Sequence, residues 1–164
     1  MNQFYTLRRE QVIQKPLNEV FAFFQQPENL ARITPASMDF RVLTPSPIIM
    51  KENALLDYSI RLSLFRLRWT TMITSYQPPI SFVDIQLRGP YSFWHHTHSF
   101  KETDDGTLMT DEVRYSIPFG FLGNILHALY IKKELQHIFD FRAKVIEEYF
   151  HKNKFTYSNS QNNL

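Results

Sequence analysis

Trp94-His95-His96-Thr97-His98-Ser99-Phe100 is the stretch whose reading decides the fold. Taken as a strand, it places Trp94, His96, His98 and Phe100 on one face and Phe93, His95, Thr97 and Ser99 on the other, because successive side chains of a strand alternate. The first face is bounded by large aromatics, so it turns toward an interior and takes two imidazoles with it. Polar groups in an interior mean a satisfied core or a ligand cavity.

The flanking sequence supports the strand. Downstream, Asp104-Asp105-Gly106 is a hairpin turn leading into Leu108 to Ile117, where Met109, Asp111, Val113, Tyr115 and Ile117 share a face. A hairpin there brings Asp111 beside His96 and His98. Upstream, Gly89-Pro90 separates the strand from Ser81 to Arg88. The phase of that segment is open: Val83, Ile85 and Leu87 are the apolar set, whereas Phe82, Asp84 and Gln86 form a polar cavity wall if they face inward.

Further out, Phe4 to Gln14 alternates weakly and reads as a first strand ended by Lys15-Pro16. Val20, Phe21, Phe23 and Phe24 follow at helical spacing, and Glu28 to Ile33 reads as a second short helix closed by Thr34-Pro35. Met38 to Thr44, Ala54 to Leu64 and Arg66 to Tyr76 read as strands separated by turns or proline pairs. Leu56, Tyr58, Ile60, Leu62 and Leu64 share a face, as do Leu67, Trp69, Thr71 and Ile73. A long helix is expected from about Leu122 to His151, burying a stripe through Ile131, Leu135, Ile138, Phe139, Val145, Ile146 and Tyr149. Leu122, Ile125, Leu126 and Leu129 lie at another azimuth, which predicts a bend or break near Lys132-Lys133. A single domain over 1–151 and a disordered, Asn- and Ser-rich tail over 152–164 are expected.

Composition narrows the function classes. The 164 residues suffice for one independent core. Eighteen Lys and Arg against 16 Asp and Glu give a net charge of +2, too even for a nucleic-acid footprint. Cysteine is absent, which removes disulfides, thiolate metal sites and cysteine nucleophiles. Met1 to Glu10 does not match a signal peptide, and no apolar run approaches ~18 residues, so a cytoplasmic protein without stable membrane insertion is expected.

This order of elements resembles the START-like helix-grip superfamily, also called SRPBCC, which includes birch-pollen-allergen-type proteins and polyketide cyclases. Val20-Phe21-Ala22-Phe23-Phe24 with Pro27-Glu28-Asn29-Leu30-Ala31-Arg32-Ile33-Thr34-Pro35 is similar to the entry segment of its bacterial ligand-binding members. So are Gly89-Pro90-Tyr91 with Trp94, His96, His98 and Phe100; Met109-Thr110-Asp111; Tyr115 with Pro118-Phe119-Gly120; and Phe139 with Arg142. The resemblance implies an α+β fold in which a curved antiparallel sheet of about seven strands, with two short helices after the first strand, grips a long carboxy-terminal helix. It also implies a cavity between sheet and helix, and it favours the inward phase of Phe82, Asp84 and Gln86. It implies no particular reaction.

The expected function is therefore binding of a small hydrophobic or amphipathic ligand by a carrier or sensor, with Trp69, Asp84, Gln86, Trp94, His96, His98, Asp111, Tyr115 and Arg142 as candidate contacts. Arg142 lies mid-stripe on the long helix, where an unpaired charge is costly, so it needs Asp111, Asp84 or an anionic ligand as partner. His96, His98 and Asp111 also suit a cyclase-, dehydratase- or hydrolase-type enzyme, since a histidine oriented by a carboxylate is a general-base layout. Two histidines at i, i+2 plus a carboxylate can make a zinc-type set, but no further histidine falls on that face, so neither metal nor cofactor is expected.

Overall fold

The computed structural model describes residues 3–62 and 64–158, with side chains described as far as residue 151. One antiparallel sheet of seven strands has the order β1-β7-β6-β5-β4-β3-β2. Its strands are β1 (Phe4–Ile13), β2 (Arg41–Val42), β3 (Leu55–Leu62), β4 (Phe65–Gln77), β5 (Ser81–Arg88), β6 (Phe93–Thr103) and β7 (Gly106–Ser116). Sequential neighbours pair through hairpins from β2 to β7, and β1 closes onto β7.

Alternation is realised within the strands, but β3 ends at Leu62, so Leu64, expected on its inner face, lies in the turn to β4 and is exposed. Leu56 and Ile60 of β3, Trp69, Thr71 and Ile73 of β4, His96, His98 and Phe100 of β6, and Met109, Asp111, Val113 and Tyr115 of β7 are all buried. β5 takes the inward phase of Phe82 and Asp84: Phe82 is buried, whereas Leu87 is exposed. Register shifts in the β4–β5 ladder, between Thr70 and Thr71 and between Ile73 and Ser75, let this strand turn its apolar set outward.

Helix α1 (Leu17–Phe24) buries Val20, Phe21, Phe23 and Phe24. Phe21 and Phe24 meet the Phe100 ring at centroid distances of 5.4 and 5.3 Å, joining this helix to β6. The second short helix is a 3-10 turn, Pro27–Ala31, followed by another at Ala36–Met38. The strand expected over Met38 to Thr44 shrinks to Arg41–Val42. Asp39 enters the left-handed region at φ 38° and gathers Arg41, Arg61 and Arg66 around its carboxylate, so the chain turns there instead of extending.

The long helix is interrupted close to the expected place. α2 (Gly120–Leu126) leads into a π turn, His127–Ile131, and then into α3 (Lys132–Ser158). Leu135, Phe139, Ile146 and Phe150 of α3 are buried, while Leu122, Leu126 and Leu129 before it are exposed. The π turn is where the apolar azimuth changes. α3 continues to Ser158, so the backbone over 152–158, expected to belong to a disordered polar tail, is helical, and the rest of that tail, 159–164, lies outside the described residues.

The β6–β7 turn depends on Gly106, at φ 126°, where an added Cβ would collide with the Ile13 carbonyl oxygen. Gly120, at φ 52°, has open space around the same position. Gly120→Ala should therefore cost about 1 kcal/mol and Gly106→Ala about 3 kcal/mol, combining strain with collision. Urea denaturation reads both values, and equal costs would contradict this account of the turn.

Candidate functional site: a polar cluster at one wall of an apolar cavity

Strand register builds the cluster. On β5 and β6, Phe82 is opposite His98 and Asp84 is opposite His96; on β6 and β7, His98 is opposite Asp111 and His96 is opposite Val113. Two carboxylates and two imidazoles thus share the concave face. The hydrogen bonds run diagonally between these rows: His96 Nε2 to Asp111 Oδ1 at 2.9 Å, and His98 Nε2 to Asp84 Oδ2 at 3.0 Å. His98 Nδ1 also lies 2.9 Å from Asp111 Oδ1, and His96 Nδ1 lies 3.6 Å from Asp84 Oδ2. The imidazole centroids are 3.7 Å apart, and His98 stacks on Phe82 at 4.1 Å.

From α3, Arg142 reaches over the Phe139 ring at 4.6 Å and places Nη1 3.7 Å from Asp111 Oδ2. This distance is an ion pair without a hydrogen bond. Among the described residues, Arg142 Nε and Nη1 and Trp69 Nε1 are buried donors with no hydrogen-bond acceptor. Arg9, opposite Asp111 on β1, turns instead to Asp140 of α3 at 3.4 Å.

Between the sheet and α3 lies a cavity of about 230 Å³. That is more than tenfold the ~10–15 Å³ that one water requires on this measure. Leu56, Ile60, Ile73, Leu135, Ile138 and Phe139 supply apolar wall, and Phe23, Leu30, Ile33 and Met38 close another side. Trp69, Asp84, Trp94, His96, His98 and Arg142 line it. Asp111, Gln86 and Tyr115 do not. Asp111 lies behind the histidines, Gln86 hydrogen-bonds the Tyr91 backbone at 2.7 Å, and the Tyr115 hydroxyl meets His127 Nε2 at 2.9 Å.

Sequence reasoning missed Tyr58 and Thr71 as cavity groups, although both were placed on inward faces. Their hydroxyls are 2.8 Å apart. An isolated hydroxyl on an aliphatic face carries no signal until the opposite wall is known. Burial, with the Asp84 charge adding to it, pushes the Tyr58 hydroxyl far up, so it remains a neutral donor.

Burial opposes ionisation throughout the cluster, and local partners decide the outcome. It pushes the Asp111 carboxyl up, but hydrogen bonds from His96 and His98 outweigh this and hold it well below the usual range. Asp84 is lowered in the same way, with His98 the main partner. Burial and the neighbouring His98 lower His96, whereas the hydrogen bonds of His98 to Asp111 and Asp84 overcome its burial and raise it.

No protein-family model and no curated protein matches this sequence. Solved structures do match. The protein TTHA0849 from Thermus thermophilus superimposes with a TM-score of 0.72 at 16% identity, over 91% of this chain and 99% of its own. The chain has the helix-grip fold. A Thalictrum norcoclaurine synthase, solved as a point mutant with a transition-state analogue, gives a TM-score of 0.67 at 11% identity over 94% and 98% of the two chains. The di-domain ARO/CYC protein StfQ of steffimycin biosynthesis gives 0.71 at 10% identity, over 92% of this chain and 52% of that one. At these identities the likeness is one of fold. In this helix-grip chain the gripped helix is α3, and the polar cluster sits where its Arg142 meets the sheet. Among the described residues, no helix is long and apolar enough to cross a membrane.

The shifts set a pH dependence. A carboxyl lowered by folding stabilises the protein above its ordinary value of 3.8, and that stability is lost as pH falls from there through the folded value. His96 and His98 shift in opposite directions from 6.5 and so act on stability with opposite signs there, whereas both lowered carboxylates act together on the acid limb. Asp111→Asn should be about 3 kcal/mol less stable than wild type at neutral pH. The gap should narrow once the pH drops below 3.8, and denaturation curves that stay parallel down to strong acid would contradict the assignment.

Proposed function

We propose that this chain binds a small, mainly apolar molecule carrying an oxygen-bearing group, as a carrier or sensor. The observation behind this reading is the pairing of an apolar cavity with buried donors on Arg142 and Trp69 that no acceptor among the described residues satisfies. Leaving a buried donor unmatched costs about 1–3 kcal/mol, so a ligand oxygen that draws these donors toward the cavity gains affinity and orientation together. Tyr58, Asp84, His96 and His98 offer the remaining polar contacts. The aliphatic and aromatic walls accept the rest of the molecule.

A free carboxylate is one candidate headgroup, but Arg142 already faces Asp111. A carbonyl or hydroxyl satisfies the same donors without adding a negative charge beside two carboxylates. Neutral amphipathic molecules are therefore favoured over acids. The norcoclaurine synthase bound to a transition-state analogue and the steffimycin-biosynthesis protein share this fold, which is compatible with an occupied cavity and does not define its occupant.

Both tryptophans of the chain, Trp69 and Trp94, line the cavity, so intrinsic fluorescence reports directly on its contents. Titration with a neutral aminonaphthalene dye should give saturable energy transfer from tryptophan at one dye per chain. Ile60→Phe, which adds volume into the cavity, should weaken binding about tenfold while costing less than the ~1–3 kcal/mol of an overpacked core. Non-saturating transfer that ignores this substitution would refute the proposal.

A further inference from the structure

Asp84 is the cluster's least explained charge. Its side chain is 14% exposed, and among the described residues its ion-pair partners are only His96 and His98. Arg142, the fixed cation of the cluster, stands against Asp111 instead. With neutral imidazoles the two carboxylates outnumber that cation, so in the absence of a metal one further proton, held between His98 Nε2 and Asp84 Oδ2, makes up the charge.

The donor geometry has a matching polarity. Asp111 Oδ1 lies 2.9 Å from both His96 Nε2 and His98 Nδ1, behind the rings. When those nitrogens carry the protons, the lone pairs of His96 Nδ1 and His98 Nε2 point to the other side, where Asp84 Oδ2 waits at 3.6 and 3.0 Å. Donors held ~2.0–2.2 Å from one tetrahedral cation stand about 3.3 Å apart, and the two observed separations bracket that value. One donor atom from each of Asp84, His96 and His98 lies within 4.8 Å of the others. All three residues line the cavity and Asp111 does not, so a further coordination position opens toward the cavity.

We infer that Asp84, His96 and His98 form a binding site for a divalent first-row transition-metal ion, with Asp111 as the positioning residue that orients both imidazoles. Two imidazoles and a carboxylate are the donor types that zinc and its neighbours accept, and a carboxylate behind the ligating histidines fixes tautomer and ring orientation. The cation takes the place of the proton otherwise shared between His98 Nε2 and Asp84 Oδ2, and that proton leaves to solvent. The carboxylate donor is Asp84, supplied by the inward phase of β5, and not Asp111, which lies behind the histidines. The site does not depend on the cavity taking an amphipathic ligand.

The test is calorimetric titration of zinc into the tag-free full chain after removal of metals, with cobalt as a spectroscopic stand-in. The expected result is one equivalent per chain and the intense visible bands of low-coordinate cobalt(II). Asp84→Asn, which keeps the side-chain shape, should weaken zinc at least 100-fold, and Asp111→Asn should weaken it 10–100-fold at unchanged stoichiometry. Substituting alanine for the exposed His137 and His151 should change nothing. Nitrogen-15 spectra of the wild-type imidazoles give an answer independent of any variant's folding, with coordination shifts expected at His96 Nδ1 and His98 Nε2. No stoichiometric uptake, or shifts confined to the exposed histidines, would overturn the inference.

Discussion

The carboxylate of Asp111, held beneath two imidazoles and faced by a guanidinium from α3, is the constraint around which this molecule is arranged. A buried charge is tolerable only when partners arrive from fixed directions, and here they come from β6 and α3. That demand links the β6–β7 register to the position of the gripped helix. If β6 slipped by one residue, His96 and His98 would leave the concave face together, and Asp111 would lose both. The hairpin turn at Gly106 guards against that slip.

Around the cluster, aromatic rings keep the cavity walls apart. Trp69 meets Trp94 edge-on at 5.3 Å and Tyr91 at 5.6 Å, while Phe21, Phe24 and Phe100 brace the other end. Such rings have few rotamers and large cross-sections, so they cannot collapse into the space between sheet and α3 as flexible aliphatic chains would. Two further rings pack against the histidines, limiting the orientations open to them: Phe82 stacks on His98, and Phe139 meets His96 edge-on at 5.8 Å.

Much of this was legible in the chain itself. Period-two alternation gave the inward faces of β3, β4, β6 and β7, and the Asp-Asp-Gly turn placed Asp111 beside the histidines. What alternation could not settle was β5, where Val83, Ile85 and Leu87 make the more apolar set yet face outward. The register shifts against β4 and the need of His98 for Asp84 decide the phase, and both are tertiary facts. The expected strand at Met38 failed for a similar reason, since three arginines distant in sequence or turned back on Asp39 hold the chain in a left-handed bend. Gln86 and Tyr115 share their faces with cavity residues but end in contacts of their own, with the Tyr91 backbone and His127, which depend on a loop and a π turn that periodicity does not reveal.

The central claim is that this helix-grip domain encloses a binding cavity whose polar wall is the Asp84, His96, His98 and Arg142 cluster. Native mass spectrometry of freshly purified chain, followed by extraction and identification of any adduct, addresses it most directly. The account predicts a small amphipathic molecule at no more than one copy per chain, displaced by the cavity-filling Ile60→Phe substitution. A chain that is consistently free of adduct, and whose thermal transition does not move across a panel of neutral and acidic amphipathic molecules, would contradict it.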